Sequence, residues 1–209
     1  MGESASELRA RWEQTCDGAG AAELRGDVYQ RLLDAYSAAD RFYHGIGHIG
    51  ECLRELDEAR RLAVRPRAIE LAIWFHDVVY DGRRQDNEER SAELADVQLK
   101  RLEIGEALVR EVHRLILLTR HDREPADVDG KLMVDIDLAS LARPAEVFDE
   151  NTRLIRREYP HVGEEDFARG RREMLGRFLA RPRIYYTDFF FDRYEKRARE
   201  NLTRALATL

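Results

Sequence analysis

The chain has 209 residues, of which 44% are hydrophobic and 36% charged, and its formal net charge at pH 7 is −6. This length and apolar fraction are sufficient for one substantial core, so we predict a single domain over residues 1–209. Binding to extended nucleic acid depends on positive charge that displaces counterions from many phosphates. The negative balance therefore argues against that partner, but it is compatible with a small anionic substrate held at a local positive site.

Two cysteines, Cys16 and Cys52, are too few for a disulfide framework. The N-terminus lacks the basic-then-apolar pattern of a secretory signal, and no apolar run approaches the roughly 18 residues typical of a membrane helix. These features predict a cytoplasmic protein that does not associate with a membrane. No pattern indicates the oligomeric state.

Helical periodicity dominates the chain, and strand-like alternation is nowhere sustained. Acidic and basic residues alternate in the way typical of solvated helix faces. The predicted helices cover residues 5–16, 22–39, 48–63, 66–79, 87–101, 104–119, 130–142, 144–158, 164–180 and 188–207. The predicted fold class is therefore all-α. We expect Pro66 and Pro144 at first helical positions, and Asp86 with Glu89 as a capping box.

The segment RFYHGIGHI, residues 41–49, places His44 and His48 four residues apart with two glycines between them. Each glycine costs about 1 kcal/mol inside a helix, and a zincin-type pair would need a Glu directly after the first histidine. A helical metal pair is therefore disfavoured. If the helix instead begins near Gly47, His48 lies in its first turn at the edge of a buried stripe. The stripe consists of Ile49, Cys52, Leu53, Leu56 and Ala59.

The predicted helix 66–79 is apolar on nearly every side, and such a helix is buried. His76 and Asp77 stand near its C-terminal end. A buried carboxylate needs a cation, hydrogen-bond donors or a raised pKa, so Asp77 requires a partner. A lone histidine beside an apolar stripe is usually a satisfied core residue. The nearby His–Asp doublet favours a divalent metal site that includes His48.

Two histidines and one aspartate leave a dication incompletely neutralised, so a further acid is expected. The segment KLMVDIDLASL offers Asp135 and Asp137. On a helical wheel Asp137 lies between Met133 and Leu141, beside the inward stripe, whereas Asp135 falls on another face. Periodicity therefore favours Asp137. Two carboxylates and a dication carry no net formal charge, which a buried site tolerates; without metal one carboxyl pKa should rise.

The ordered set of a His, a distant His–Asp doublet and a distant Asp resembles the HD-domain superfamily of metal-dependent phosphohydrolases. The resemblance extends from about residue 40 to the C-terminus, and the matching stretches are RFYHGIGHI, ELAIWFHDVVYD, DNEERSAELA, LILLTRH, MVDIDLASL, IRREY and IYYTDFFFDRYEKRARENL. They are similar to a bacterial subgroup of predicted HD phosphohydrolases with unassigned substrate.

The resemblance implies an HD-like multi-helix bundle whose buried central helix carries the doublet. It also implies that His48, His76, Asp77 and Asp137 are metal ligands. Asp135 is the alternative last ligand if the local helix is offset. The metal is divalent and unidentified, with Mn, Mg, Fe, Zn, Co and Ni as candidates.

Two further histidines are candidate catalytic residues. His44 would contact substrate or a metal-bound water, or else order its loop. His121 is either a site residue or a solvated histidine at a helix end. His113 projects away from its helix's apolar stripe and is predicted to lie at the surface.

Other polar side chains have a structural and a functional interpretation. Asp81, Asn87 and Glu88 would either flank the pocket or cap the N-terminus of the helix that follows. The candidate phosphate contacts, each more typical of a solvated charge, are Arg41, Arg84, Arg120 and Lys131. The aromatic cluster of residues 185–194 is interpreted as core docking rather than base stacking.

The predicted function is hydrolysis of a small phosphoester, such as a nucleotide, by metal-activated water. Asp77 would orient the water as well as bind the metal, and His44, His121 or solvent would protonate the leaving group. Two alternatives stay open: a regulatory HD module that binds a nucleotide or partner without turnover, and a di-iron oxygenase. The scarcity of further histidines argues against the second.

Overall fold

In the computed structural model, which describes residues 4–209, the chain forms ten α-helices and no strand. The prediction of an all-α fold is therefore confirmed for this part of the chain. Residues 1–3 of the predicted domain lie outside it. The helices are α1 Ala5–Thr15, α2 Ala22–Tyr36, α3 Ile46–Ala59, α4 Pro66–Phe75, α5 Asn87–Arg101, α6 Glu106–Leu118, α7 Val128–Leu138, α8 Ala145–Arg157, α9 Glu164–Ala180 and α10 Asp188–Thr208. Two short 3-10 helices span Arg60–Leu62 and Ala139–Ala142.

Helix α4 lies at the centre of the core. It contacts α3, α6 and α7 as well as α1 and α5, so it is covered on all sides. Its fully enclosed side chains are Ala68, Ile69, Leu71, Ala72, Ile73, Trp74 and Phe75. The predicted buried helix is confirmed, and its apolar surface explains why it occupies this position.

One acidic residue of α4, Glu70, is buried with three donors. Its Oε1 accepts from Nε of Arg11 and from Oγ1 of Thr15, both at 2.8 Å, and its Oε2 accepts from Nη1 of Arg60 at 2.7 Å. Burial alone would raise the pKa of Glu70, but the two arginines and Thr15 lower it. Helix α1 and the end of α3 are thus joined to the central helix by charge.

The predicted helix starts need two corrections. Asp86 precedes α5, but its side chain caps no backbone N–H, because both carboxylate oxygens bind Arg84 at 2.7 and 2.6 Å. Pro144 is the N-cap of α8 rather than its first residue, whereas Pro66 does occupy the first turn of α4. Side-chain caps that the sequence analysis did not propose occur at Asp127 for α7 and at Ser4 for α1.

Four predicted helices end three or more residues earlier than expected, and two of these ends lie at the candidate site. Helix α4 ends at Phe75 instead of residue 79, and Arg41 donates to the carbonyls of Asp77 and Val78 in the turn that follows, at 2.7 and 3.0 Å. The predicted helix 130–142 is α7 followed by the 3-10 helix Ala139–Ala142. As a result, His76 and Asp77 lie just beyond the end of α4, and Asp137 lies in the last turn of α7.

The C-terminal segment docks on α7. Asp135 accepts hydrogen bonds from the backbone N–H groups of Tyr186 and Thr187 at 2.7 and 2.8 Å, and from Oγ1 of Thr187 at 2.7 Å. The Tyr185 hydroxyl donates to the carbonyl of Leu138 at 2.9 Å. Tyr185 and Phe190 are fully buried, so the interpretation of the aromatic cluster as core is confirmed for these two residues.

A bilayer span by a helix needs about 20 predominantly apolar residues. Within residues 4–209 no helix combines that length with that apolar character.

Candidate metal centre and adjoining cavity

The four side chains that the resemblance implies as ligands come from three helix ends. His48 lies in the first turn of α3, His76 and Asp77 directly follow α4, and Asp137 lies in the last turn of α7. Because α3, α4 and α7 pack against one another, these ends meet. The packing therefore brings together residues that are far apart in the chain.

The ligand atoms lie at separations typical of a coordination shell. The Nε2 atoms of His48 and His76 are 3.2 Å apart. Oδ1 of Asp137 is 3.2 Å from Nε2 of His48 and 3.5 Å from Nε2 of His76. Oδ2 of Asp77 is 3.1 Å from Nε2 of His76 and 3.7 Å from Nε2 of His48. Adjacent ligands about 2.1 Å from an octahedral ion lie about 3.0 Å apart, so these separations are close to those around a divalent ion.

Hydrogen bonds outside the cluster fix the orientation of two of these groups. Nδ1 of His76 lies 2.9 Å from the carbonyl oxygen of Ile73. A carbonyl only accepts, so Nδ1 carries a proton, and Nε2, which faces the cluster, is the nitrogen that would bind a metal once it is deprotonated. Nε2 of His121 lies 2.8 Å from Oδ2 of Asp137 and holds the carboxylate from its other side.

The pKa shifts show how strongly these groups interact. Burial by itself lowers the pKa of His76, but Asp77 and Asp137 raise it well above its usual value. Burial by itself raises the pKa of both carboxyl groups, but His76 lowers that of Asp77, and His121 and His48 lower that of Asp137. The pKa of each carboxyl group is therefore below its usual value, and the rise expected for one of them without metal is not found. Buried positive charge thus stabilises the two carboxylates, and a divalent cation would supply the same stabilisation.

Cys52 also belongs to this cluster, although the sequence analysis placed it only in the buried stripe of α3. One ligand atom from each of His48, Cys52, His76 and Asp137 lies within 4.8 Å of the others, a group that could hold a metal ion and that does not include Asp77. The Sγ atom of Cys52 is 3.6 Å from Nε2 of His48. The spacing of four residues from His48 was the available signal, because it places both side chains on one helix face.

His44 stands apart from the four-ligand cluster and has its own partner. Its Nδ1 lies 2.6 Å from Oε2 of Glu158, and its ring stacks on Tyr80 with centroids 4.0 Å apart. Oε1 of Glu158 accepts from the N–H groups of residues 42, 43 and 44 at 2.8, 2.7 and 2.9 Å. Glu158 therefore fixes both the loop and the imidazole; nothing in the local sequence indicated this long-range contact.

A cavity of about 320 Å³ adjoins the cluster. His44, Asp77, His121 and Asp137 line it, so all three candidate catalytic residues reach one space. The rest of its wall is mainly aromatic, apolar or cationic, but it also includes the acid Glu88 and the amide Asn151. Its other residues include Tyr43, Tyr80, Arg120, Leu141, Phe148, Ile155, Tyr159, Arg171, Met174, Arg177, Phe178 and Arg181. The sequence analysis did not identify Arg171 and Arg177 of α9, or Arg181, which directly follows this helix, as site residues.

Other candidates lie outside this cavity. His113 is half-buried rather than at the surface, with Nδ1 3.1 Å from Oδ2 of Asp96. Arg41 donates to backbone carbonyls, and Arg84 binds Asp86. Asn87 exchanges hydrogen bonds with the backbone of Asp81.

Among the predicted phosphate contacts, Arg120 lines the cavity and is paired with Glu89, whereas Lys131 is not part of its wall. Of the acids that follow the doublet, Glu88 faces the cavity. Burial raises the pKa of Glu88.

Comparison of the chain with known protein families, curated proteins and solved structures gave no match.

Proposed function

We propose that this protein is a metal-dependent hydrolase of a small phosphoester with an HD-type centre. The observation that carries the proposal is the convergence of two imidazole nitrogens and two carboxylate oxygens, with nitrogen–oxygen and nitrogen–nitrogen separations of 3.1 to 3.7 Å. The two carboxylates, Asp77 and Asp137, also line a cavity large enough for a small organic molecule.

His48, His76, Asp77 and Asp137 would hold the metal, with Cys52 as an adjacent soft donor. The two carboxylates balance the charge of a dication, so the loaded site is formally neutral. When bound, a divalent ion would supply positive charge for a phosphoryl oxygen and would lower the pKa of a coordinated water toward about 7. Four protein ligands leave positions free on a six-coordinate ion, as catalysis requires.

The remaining groups orient the reactants and move the proton. Asp77 lines the cavity and is placed to accept a hydrogen bond from the attacking water. His121 holds Asp137 in position through its 2.8 Å contact. His44 faces the cavity with Glu158 behind it, an arrangement that orients an imidazole for donation of a proton to the leaving oxygen.

The first test compares Asp77→Ala with His113→Ala. We expect the Asp77 variant to lose bound metal and at least 100-fold in hydrolysis, because it removes a ligand and a group beside the reacting water. His113→Ala should retain both within about twofold, since His113 lies outside the cavity. Metal analysis of protein purified without chelator, followed by hydrolysis of an aryl phosphate and a nucleotide panel under each candidate metal, measures these effects.

Full metal content and full activity in the Asp77 variant would refute the proposed centre. Metal and ligand binding without turnover on any panel member would favour the regulatory module instead. Two irons per chain with oxygen consumption would favour the oxygenase.

A further inference from the structure

Arg171 of α9 lines the cavity without a counter-ion. Its Nε is fully buried and has no hydrogen-bond partner in the described part of the chain. Its electrostatic neighbours are the hydroxyl groups of Tyr43, Tyr159 and Tyr80, and burial lowers the pKa of its guanidinium. An arginine in a protein nevertheless stays protonated, so this wall carries a positive charge that no described carboxylate neutralises.

Other partly buried arginines of this protein show how such a charge is usually accommodated. Arg11 binds Asp57 at 2.7 Å and Glu70 at 2.8 Å. Arg199 binds Glu195 at 2.7 Å and donates to three backbone carbonyls. An unpaired buried charge is costly, so the exception at Arg171 indicates a place that an anion fills.

A second arginine of the same wall has spare hydrogen-bonding capacity. Nη2 of Arg181 donates to the carbonyl of His121 at 2.7 Å, and its guanidinium lies 4.6 Å from the ring centroid of Phe178. Its Nη1 is buried without a partner among the described residues. The contact with His121 anchors Arg181 beside the metal centre.

The charge of the cavity identifies the kind of anion. A dication would balance Asp77 and Asp137, and Arg120 is paired with Glu89. The other charged side chains of the wall are Arg171, Arg177 and Arg181, which are positive, and Glu88, which is acidic, so the formal surplus is two positive charges. A phosphomonoester carries up to two negative charges near neutral pH, whereas a diester carries one. The apolar part of the wall, which includes Phe148, Ile155 and Met174, suits an apolar or aromatic alcohol group.

We propose that Arg171 and Arg181 form a subsite that selects phosphomonoesters of apolar or aromatic alcohols over phosphodiesters. This proposal rests on the hydrolase function proposed above. The arginines bind the phosphoryl oxygens that do not face the metal centre. Hydrolysis breaks the bond between phosphorus and the ester oxygen; water adds hydroxide to phosphorus and its proton goes to the alcohol. Inorganic phosphate, also an anion, is released from the same subsite.

The test compares p-nitrophenyl phosphate with bis(p-nitrophenyl) phosphate in the metal-loaded protein. For Arg171→Gln we expect kcat/KM on the monoester to fall about 10- to 100-fold, mainly through KM, because a charge-assisted hydrogen bond is lost. The diester should change by less than about threefold, and metal content should be unchanged. Arg169→Gln, an exposed position on the same helix, is the matched control and should resemble the wild type.

An unchanged ratio of monoester to diester activity in Arg171→Gln would overturn the proposal. Arg171→Lys keeps the charge but not the planar fork, so we expect it to recover part of the monoester activity.

A second measurement does not depend on turnover. Inorganic phosphate should raise the unfolding midpoint of the wild type and of Arg169→Gln, but not that of Arg171→Met. In phosphate-free buffer Arg171→Met should be at least as stable as the wild type, because an unpaired buried charge is removed. If neither ester is hydrolysed but phosphate protection depends on Arg171, the hydrolase proposal fails and the anion subsite stands. Equal protection of Arg171→Met would refute the subsite.

Discussion

Asp135 and Asp137 are two residues apart on α7, and they have different partners. Asp135 is fully buried, whereas the side chain of Asp137 is 15% exposed. Asp137 faces the two histidines of the centre and His121, whereas Asp135 faces the backbone of the segment before α10. The helical wheel distinguished them because residues two positions apart point to different faces. It did not indicate that the face of Asp135 is also covered, since the C-terminal segment that covers it is about 50 residues away in sequence.

This difference gives a prediction for the two aspartates. Asp137→Ala should abolish metal binding. Asp135→Ala should retain it and lower the free energy of unfolding by about 2–4 kcal/mol, because three donors lose their acceptor. Metal analysis and urea denaturation of both variants measure the two effects. Loss of metal from Asp135→Ala, with Asp137→Ala unaffected, would reverse the assignment.

Glu158 links elements that are distant in sequence, because it follows α8 and binds the loop before α3. Burial by itself raises the pKa of Glu158, but His44 and the backbone N–H groups lower it below its usual value. A carboxyl group whose pKa is lowered by folding stabilises the protein above its unfolded pKa, about 4.3 for Glu. That stabilisation is lost as the pH falls from about 4.3 through the lower folded pKa.

We therefore expect wild type to exceed Glu158→Gln in stability by about 1–3 kcal/mol near pH 7, with the difference shrinking below about pH 4. Chemical denaturation between pH 3 and 7 measures this difference. Glu165→Gln, at an exposed position, serves as the control and should show no such pH dependence. A wild-type advantage that is constant over the whole pH range would contradict the stabilising role assigned to the Glu158 carboxylate.

The helices could be predicted to within a few residues, because an apolar period of 3.6 is a local property of the sequence. The ends of the helices and the contacts made there were harder to predict. Helix α4 ends where Arg41 supplies donors, and Asp86 is engaged by Arg84 instead of the helix start. Glu158, Arg171 and the network around Glu70 depend on contacts between distant segments, which no local pattern specifies. Cys52 is the exception, since its spacing from His48 was visible.

At the scale of the whole molecule, the ends of α3, α4 and α7 form one centre within the core. A ligand that binds only the folded state stabilises it by about 2.7 kcal/mol at a free concentration 100 times its dissociation constant. For a chain of this size we expect removal of the metal by a chelator to lower the unfolding midpoint by about 5–10 °C. Calorimetry with and without chelator checks this, and a His48→Ala, Asp137→Ala double variant should show no chelator effect.

Arg41 has a consequence that extends beyond its own loop. One guanidinium donates to the carbonyls of His44, Asp77 and Val78 at 2.9, 2.7 and 3.0 Å. It therefore connects the candidate proton donor to the His76–Asp77 doublet, although it is neither a candidate ligand nor part of the cavity wall. A homologous protein that keeps every candidate ligand but has a different residue at position 41 would lose the contacts that hold His44 in place relative to His76 and Asp77. Conservation of the candidate ligands in a homologue is therefore not sufficient to predict that it has the same activity.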